Sequence, residues 1–229
     1  MILVGQYDSP FVRRVGVTLH LYGMPFTRNT ISVFGDADQM ARINPLVRIP
    51  SLVLDSGETL IDSAAILDTL DEMVGPSRAL TPPSGAARRR VLQATAMAAG
   101  AMDKAGAWVY ERHFHPPGQR NETMLARYEA QLAGALSWLD AQTRDGRLCG
   151  PALSQADISA ATLVFYLKLR VAPAFPQGAY PRLGALCDAL EATDSFIATR
   201  PAANESMPPR EGSPPMTPEG LAALKQINV

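Results

Sequence analysis

Strand-like and helix-like segments alternate over residues 1–75, whereas strand-like segments do not recur beyond residue 88. Residues 1–4 are a short apolar run, and residues 26–33 are rich in β-branched side chains, as is typical of strands. Between them, apolar side chains recur at the spacing of a helix that ends at a Gly-Met-Pro sequence. A strand, a helix and a strand within about 30 residues predict a βαβ unit with parallel strands and a right-handed crossover.

The remainder of this first segment predicts a helix, a hairpin and a further helix. The short helix is expected at about residues 36–43. Residues 51–55 and 58–61 flank a Ser-Gly pair and predict an antiparallel hairpin. An amphipathic helix is expected from residue 64. The resulting order is that of a thioredoxin-like α/β domain, which we assign to residues 1–78.

A stretch with the composition of a linker separates this domain from the rest of the chain. Residues 75–87 (GPSRALTPPSGAA) are rich in Pro, Gly and Ser. Beyond them, the apolar pattern predicts an all-α helical bundle over residues 88–200. Six prolines between residues 201 and 218 predict an extended tail over residues 201–229, with a short turn at about 221–226. The helices of the bundle are expected at residues 88–114, 121–142, 155–171, 181–191 and 193–199.

Charge and cysteine content exclude several classes of function. Lys and Arg number 21 against 22 Asp and Glu, so the chain lacks the positive field with which proteins bind nucleic acids or anionic membranes. Cys149 and Cys187 lack the spacing of a zinc site, and three histidines add no metal-binding pattern, so we expect no metal. The first residues lack the order of a signal peptide, and no apolar run reaches the ~18 residues of a membrane span. These features predict a soluble, cytoplasmic protein.

Four short motifs, in this order and at these separations, resemble those of cytosolic glutathione transferases. They are residues 9–14 (SPFVRR), residues 44–50 (NPLVRIP), the pair Asp62 and Ser63, and residues 154–157 (SQAD). With a thioredoxin-like half followed by an all-α half, the chain is similar to the bacterial, serine-type members that are close to the theta and zeta classes. The resemblance covers the chain up to about residue 200.

Ser9 is the candidate catalytic residue. It follows the first strand, and Pro10 suits the first position of the next helix, so Ser9 is also a candidate N-cap residue. A helix N-terminus favours an anion, and a hydroxyl placed there can stabilise a thiolate. The resemblance implies that Ser9 donates a hydrogen bond to the sulfur of glutathione. Tyr7 is the alternative donor, because some classes of the family use a tyrosine at the end of the first strand.

The resemblance also assigns residues that bind glutathione. The backbone of Ile49 is expected to pair with the cysteinyl backbone of glutathione, next to a cis peptide bond between Ile49 and Pro50. Arg48 is expected either to bind the glycyl carboxylate or to be a solvated surface arginine. Phe11 is expected to contact both glutathione and the second substrate.

Three acidic residues and one serine have further roles by the same resemblance. Asp62 and Ser63 are a capping pair at a helix start. The resemblance implies that Ser63 binds the γ-glutamyl carboxylate of glutathione and that Asp62 faces the ammonium group of the same residue. Asp103 is expected to reach across a homodimer to the glutathione amine. Asp157 completes an S-x-x-D capping box, for which we expect a structural role.

The resemblance implies a largely apolar pocket for a second substrate between Ser9 and the long helices. Aromatic side chains at helical spacing fit a helix core equally well. The candidate lining residues are Phe11, Trp108, Tyr110, Arg112, His113, Phe114 and Tyr166.

We therefore interpret the chain as a glutathione transferase that activates the glutathione thiolate for attack on a hydrophobic electrophile. One alternative is a glutathione-dependent isomerase of the maleylacetoacetate type, although residues 9–14 lack the Ser/Cys-rich stretch with a Trp that such members carry. The other is a catalytically silent binding protein with the same fold.

Overall fold

Four short strands form one mixed sheet in the computed structural model, which describes residues 1–202 and Glu205. The strands are β1 (Ile2–Val4), β2 (Thr27–Asn29), β3 (Ser51–Val53) and β4 (Thr59–Leu60). Their order in the sheet is β2–β1–β3–β4. β1 and β2 are parallel, whereas β3 is antiparallel to both β1 and β4. The predicted parallel pair and the predicted hairpin are therefore confirmed.

Three helices complete this thioredoxin-like unit. They are α1 (Pro10–Tyr22), α2 (Ala37–Ile43) and α3 (Ser63–Val74). Gly23 ends α1 in the left-handed conformation, with a φ of 65°, because glycine adopts a positive φ without a steric cost. The order of strands and helices agrees with the order predicted from the sequence, and the α/β assignment of this half is confirmed.

β2 is shorter than the predicted strand at residues 26–33, because the backbone that follows it forms hydrogen bonds with side chains instead of with a neighbouring strand. Asp36 accepts a hydrogen bond from the backbone N–H of Ser32 at 2.8 Å. The hydroxyl of Ser32 accepts from the backbone N–H groups of Phe34 and Gly35. Serine and aspartate compete in this way with strand pairing, so the chain turns towards α2 instead of extending the sheet.

The core of the first unit includes two arginines of α1. Arg13 is 0% exposed and Arg14 is 2% exposed, although both are charged. A buried cation is costly unless it is paired and hydrogen-bonded. Arg13 donates from Nε to the backbone carbonyl of Thr199 at 3.0 Å, and the contacts of Arg14 belong to the site described below.

The second unit is helical, which confirms the predicted fold class of the second half. α4 packs against both α5 and α6, and α6 packs against α7. The longest helix begins at Gly85, three residues earlier than predicted, and the last one spans only four residues. Within the described residues, no helix is long and apolar enough to cross a membrane. The helices are α4 (Gly85–Phe114), α5 (Glu122–Gln142), α6 (Gln155–Arg170), α7 (Pro181–Glu191) and α8 (Asp194–Ile197).

Asp157 forms the expected capping box at the start of α6. Its carboxylate accepts from the backbone N–H and the hydroxyl of Ser154 at 2.8 and 2.7 Å. It also accepts from the backbone N–H of Leu148 at 2.8 Å. The side chain is fully buried, so Asp157 fixes the start of a buried helix.

The chain divides into two compact units, within each of which most of the residue contacts are made. The first contains Met1–Leu70 and the described residues from Thr199 onward, and the second contains Asp71–Ala198. The Pro-rich stretch after α3 is held in place by Asp71, which accepts from the backbone N–H groups of Leu80 and Thr81 at 3.1 Å each. Apart from residues 201, 202 and 205, the extended tail predicted for residues 201–229, with its turn at about 221–226, lies outside the described residues.

Candidate functional site

Ser9 lies at the N-terminus of α1, as its sequence position predicts. Its hydroxyl oxygen accepts from the backbone N–H of Val12 at 3.5 Å, which is a long hydrogen bond. Within the part of the chain that the structure describes, the Ser9 O–H group donates to no acceptor. The side chain is half-buried. The hydroxyl therefore caps α1 weakly, and its proton makes no hydrogen bond within the described residues.

Tyr7 lies close to Ser9 in sequence, but its hydroxyl is buried in the first unit. The residue is 2% exposed, and its ring packs so closely on Gly16 of α1 that an added Cβ there would lie 2.5 Å from the ring. Burial raises the pKa of Tyr7 to about 12, with the Glu205 carboxylate acting in the same direction and Arg28 and Arg13 opposing it. Its hydroxyl oxygen has no hydrogen-bond partner among the described residues. This geometry favours Ser9 over Tyr7 as the donor to a ligand.

We expect Tyr7→Phe to leave kcat/KM for glutathione within about twofold of the wild-type value and to raise the free energy of unfolding by about 1 kcal/mol. Removing a buried hydroxyl that lacks a partner removes its desolvation cost. Steady-state kinetics and chemical denaturation measure the two quantities. If Tyr7 were the thiolate donor, kcat/KM would instead fall by more than tenfold, and this outcome would assign the role to Tyr7.

A pocket of about 140 Å³ opens in the first unit. It brings together six of the eight residues predicted to bind glutathione, but Ser9 and Asp103 are not among its lining residues. Three further side chains also line it, namely Asn44 and Leu46 of the 44–50 motif and Ile61, none of which was predicted to bind glutathione. The lining residues are Phe11, Asn44, Leu46, Arg48, Ile49, Pro50, Ile61, Asp62 and Ser63.

Asn44 shapes the loop that forms one wall of this pocket. Its amide donates from Nδ2 to the carbonyl of Arg48 at 2.8 Å, and its Oδ1 accepts from the backbone N–H of Leu46 at 3.0 Å. The peptide bond between Ile49 and Pro50 is cis, as predicted. Within the described residues, neither the N–H nor the C=O group of Ile49 has a hydrogen-bond partner. The Asn-Pro sequence at residues 44–45 could have predicted this turn, because Asn side chains often accept a hydrogen bond from the backbone two residues further on.

The opposite wall is the N-terminus of α3. Asp62 caps this helix, because its Oδ1 accepts from the backbone N–H of Ala64 at 2.9 Å and from the hydroxyl of Ser63 at 3.3 Å. Ser63 is fully buried, whereas Asp62 is exposed. The first backbone N–H groups of a helix have no acceptor within it, so this end of the pocket favours an anion.

Arg14 adds a buried positive charge behind this helix end. Its guanidinium donates from Nη2 to the hydroxyl oxygen of Ser63 at 2.6 Å, and it lies 5.7 Å from the ring centroid of Phe11. Because the Ser63 oxygen accepts a hydrogen bond from Arg14, the Ser63 O–H points away from Arg14. In this structure the O–H donates a weak hydrogen bond to the carboxylate of Asp62. Arg14 was not among the predicted site residues, although two adjacent arginines in a largely apolar helix were a signal.

The residues predicted for the second-substrate pocket, other than Phe11, lie in the second unit. Trp108 is buried, and its indole N–H donates to the carboxylate of Glu129 at 2.9 Å. The guanidinium of Arg112 lies 4.8 Å from the ring centroid of Trp108. Tyr166 is 8% exposed, and Asp103 is exposed on α4. Trp108 and Tyr166 are therefore mainly core residues of the helical unit.

The structure brings three of the remaining aromatic residues together at the end of α4. His113 packs edge-on against Phe114 with ring centroids 4.8 Å apart, and Tyr110 lies 5.9 Å from the same ring. Tyr110 is 46% exposed. Burial and the positive charge of Arg170 lower the pKa of His113, so its imidazole is predominantly neutral at pH 7. This end of α4 is an aromatic surface with a neutral histidine and adjacent arginines.

The described residues contain no group of three His, Cys, Asp or Glu side chains arranged to hold a metal ion. The polar groups of the pocket are instead hydroxyl, guanidinium, carboxylate and backbone groups, which suit a ligand with its own carboxylates and amides.

Both halves of the chain match sequence models of one enzyme family. Residues 3–78 match the model of the glutathione S-transferase N-terminal domain, and residues 122–189 match that of the C-terminal domain. The uncharacterized GST-like protein YibF of Escherichia coli (strain K12) is 32% identical over 202 residues, which cover 88% of this chain and 98% of that protein.

Solved structures of bacterial proteins have the same fold. A glutathione transferase family member from Pseudomonas fluorescens Pf-5 with bound glutathione superposes with a TM-score of 0.79 at 32% identity, over 88% of this chain and 98% of that one. A glutathione S-transferase from Methylobacterium radiotolerans JCM 2831, in complex with glutathione sulfonate, gives a TM-score of 0.82 at 28% identity, over 88% and 95% of the two chains.

Proposed function

The chain belongs to the glutathione S-transferase family, and from that premise we propose that it binds glutathione in the pocket of the first unit and transfers its thiolate to a hydrophobic electrophile. The observation that carries the proposal is the lining residue Ser63 at the N-terminus of α3, whose hydroxyl accepts a hydrogen bond from Arg14, a buried cation that does not itself line the pocket. A buried cation, a hydroxyl and the N-terminus of a helix together suit a carboxylate.

We assign the γ-glutamyl end of glutathione to this part of the pocket. Ser63 donates its O–H to the carboxylate in place of the 3.3 Å bond to Asp62, while Arg14 stabilises the negative charge from behind. Asp62 is exposed beside Ser63, and its carboxylate attracts the ammonium group of the same residue of glutathione. Two opposite charges on one ligand group are thus matched by two opposite charges of the protein.

The other end of glutathione is assigned to the loop that precedes β3. The unpaired backbone groups of Ile49 pair with the cysteinyl backbone in an antiparallel, strand-like manner. Arg48 is exposed on the wall of the pocket, and we assign it to the glycyl carboxylate. Phe11 and Pro50 supply apolar contact. A homodimer, a contact from Asp103 across it, and a second-substrate pocket that includes the aromatic residues of α4 and α6 stay predictions.

Ser9 is the residue to which we assign thiolate stabilisation. Its free O–H donates to the sulfur, and the N-terminus of α1 favours the negative charge that the sulfur acquires. The thiol proton leaves to solvent, and an electron pair of the sulfur forms a bond to the electrophilic carbon. In a substitution the leaving group departs with its bonding pair, and in an addition the neighbouring atom takes a proton. The protein supplies orientation and charge stabilisation rather than a nucleophile of its own.

Calorimetric titration with glutathione, followed by turnover assays, tests the proposal. The electrophiles are an aryl halide, an epoxide, an α,β-unsaturated carbonyl compound and a maleyl substrate. We expect binding of glutathione, at least tenfold weaker binding of the dipeptide Cys-Gly, which lacks the γ-glutamyl group, and thioether formation with one or more electrophiles. Turnover of the maleyl substrate alone would favour the isomerase, binding without any turnover would favour a silent binding protein, and no binding would contradict the proposal.

A further inference from the structure

Glu205 places a buried carboxylate against the beginning of the chain. The residue is 5% exposed. Its Oε2 accepts from the backbone N–H of Tyr7 at 2.7 Å, across a sequence separation of 198 residues. Both carboxylate oxygens accept from the guanidinium of Arg28, at 2.8 Å for Nη1 to Oε1 and 2.7 Å for Nη2 to Oε2. This bidentate pairing of Arg28 with the carboxylate fixes both the position and the orientation of the Glu205 side chain.

Arg28 connects this carboxylate to the turn that follows β1. It lies on β2 opposite Leu3 of β1, and its Nη2 also donates to the carbonyl of Gly5 at 3.3 Å. The guanidinium carbon lies 3.5 Å from the ring centroid of Tyr7, which is a close cation–π contact. The ring is therefore held between the guanidinium of Arg28 and Gly16 of α1.

These contacts converge on residues 5–9, which form the turn between β1 and α1. The backbone N–H of Gly5 donates to the carbonyl of Asn29 at 2.8 Å, and that of Ser9 donates to the carbonyl of Gln6 at 3.1 Å. Glu205 provides the acceptor for the backbone N–H of Tyr7. The turn that presents Ser9 is thus tied to a residue near the other end of the described chain.

We propose that Glu205 and Arg28 are positioning residues for Ser9, so that a residue beyond the helical unit is required for efficient transfer although, among the described residues, it neither lines the pocket nor hydrogen-bonds Ser9. This inference rests on the proposed function. The pair holds the backbone of Tyr7 and, two residues further on, the orientation of the Ser9 hydroxyl. Displacement of a donor by about 1 Å is enough to reduce catalysis strongly.

The charge state of the pair supports this role at neutral pH. Although burial raises the pKa of Glu205, the stronger combined effect of hydrogen bonds from Arg28 and from the backbone of Tyr7 and of the positive charge of Arg28 lowers it below its usual value. The carboxylate is consequently ionised at pH 7, and the ion pair with Arg28 is intact under the conditions of a transferase assay.

The test compares Glu205→Gln with Glu58→Gln, which changes an exposed acid next to the β3–β4 turn. We expect Glu205→Gln to lower kcat for transfer about tenfold, to leave KM for glutathione within about twofold, and to accelerate amide hydrogen exchange in residues 5–9. Glu58→Gln is expected to match the wild type in all three. Arg28→Lys keeps the charge but loses the bidentate pairing, and it is expected to lower kcat about threefold. This variant replaces Glu205→Gln in the test if Glu205→Gln does not fold.

The outcomes separate this inference from the proposed function. A wild-type chain without transferase activity overturns both. An active wild-type chain whose Glu205→Gln or Arg28→Lys variant is folded, with unchanged kcat and unchanged exchange in residues 5–9, overturns the positioning role alone. A rise in KM with no change in kcat also overturns it, because that result would place the effect on the pocket rather than on Ser9.

Discussion

Ser9→Ala is expected to lower kcat/KM about 30-fold, which corresponds to a loss of ~2 kcal/mol of transition-state stabilisation. A hydrogen bond from a neutral hydroxyl to a charged sulfur has about this value. The Ser9 O–H has no other acceptor in the described residues, so its donation to the sulfur breaks no existing bond. KM for glutathione should change by less than about threefold, because the contacts that we assign to the carboxylates, the ammonium group and the backbone of glutathione do not involve Ser9.

Two control variants separate the catalytic role of Ser9 from its role as a helix cap. Ser9→Thr keeps both the hydroxyl donor and the cap, so activity should stay within about threefold of wild type. Ser9→Asp keeps the cap but has no proton to donate and repels a thiolate, so it should be at least as inactive as Ser9→Ala while melting near the wild-type temperature. Full activity of Ser9→Asp would show that only capping matters.

Arg14→Met is expected to raise KM for glutathione about 50-fold and to lower kcat by no more than about threefold. The substitution removes the donor to Ser63 and the only charge that we assign to the γ-glutamyl carboxylate, and a hydrogen bond to a charged group contributes ~1.5–3 kcal/mol. Methionine keeps most of the buried length of the side chain and brings no charge of its own to this buried position. Steady-state kinetics with varied glutathione measures the two constants separately.

The control for Arg14 is Arg42→Met, which removes an exposed arginine of α2 that, among the described residues, neither lines the pocket nor hydrogen-bonds a residue that does. We expect its KM for glutathione to stay within about twofold of the wild-type value. Arg14→Lys keeps the charge but not the geometry, and an intermediate KM is expected. If folded Arg14→Met bound glutathione with the wild-type KM, the assignment of the γ-glutamyl carboxylate to this end of the pocket would be wrong.

The order of strands and helices could be predicted because it depends on local patterns. Apolar spacing located α1 and the helices of the second unit, and the S-x-x-D motif located the capping role of Asp157. The extent of β2 could not be predicted from β-branched composition, because hydrogen bonds of Ser32 and Asp36 withdraw the backbone from the sheet.

The features of the site that could not be predicted are those made by distant residues. Arg14 donates to Ser63 across 49 positions. Two adjacent arginines in a largely apolar helix indicate that a charged side chain turns inward, but they do not indicate which distant residue it contacts. Glu205 lies in a Pro-rich stretch whose composition predicts extended chain, and its partners Tyr7 and Arg28 are more than 170 positions away. Such pairs depend on how the chain returns to the sheet, which composition and periodicity do not encode.

The pKa of the glutathione thiol bound to the wild-type chain and to Ser9→Ala tests the account most directly. It is measured by following the ultraviolet absorbance of the thiolate during a pH titration. A free cysteine thiol has a pKa of about 8.5. We predict a bound value about two units lower in the wild type and an increase of about 1.5 units in Ser9→Ala, the equivalent of ~2 kcal/mol. Equal thiol pKa values in the two proteins would contradict the assignment of Ser9.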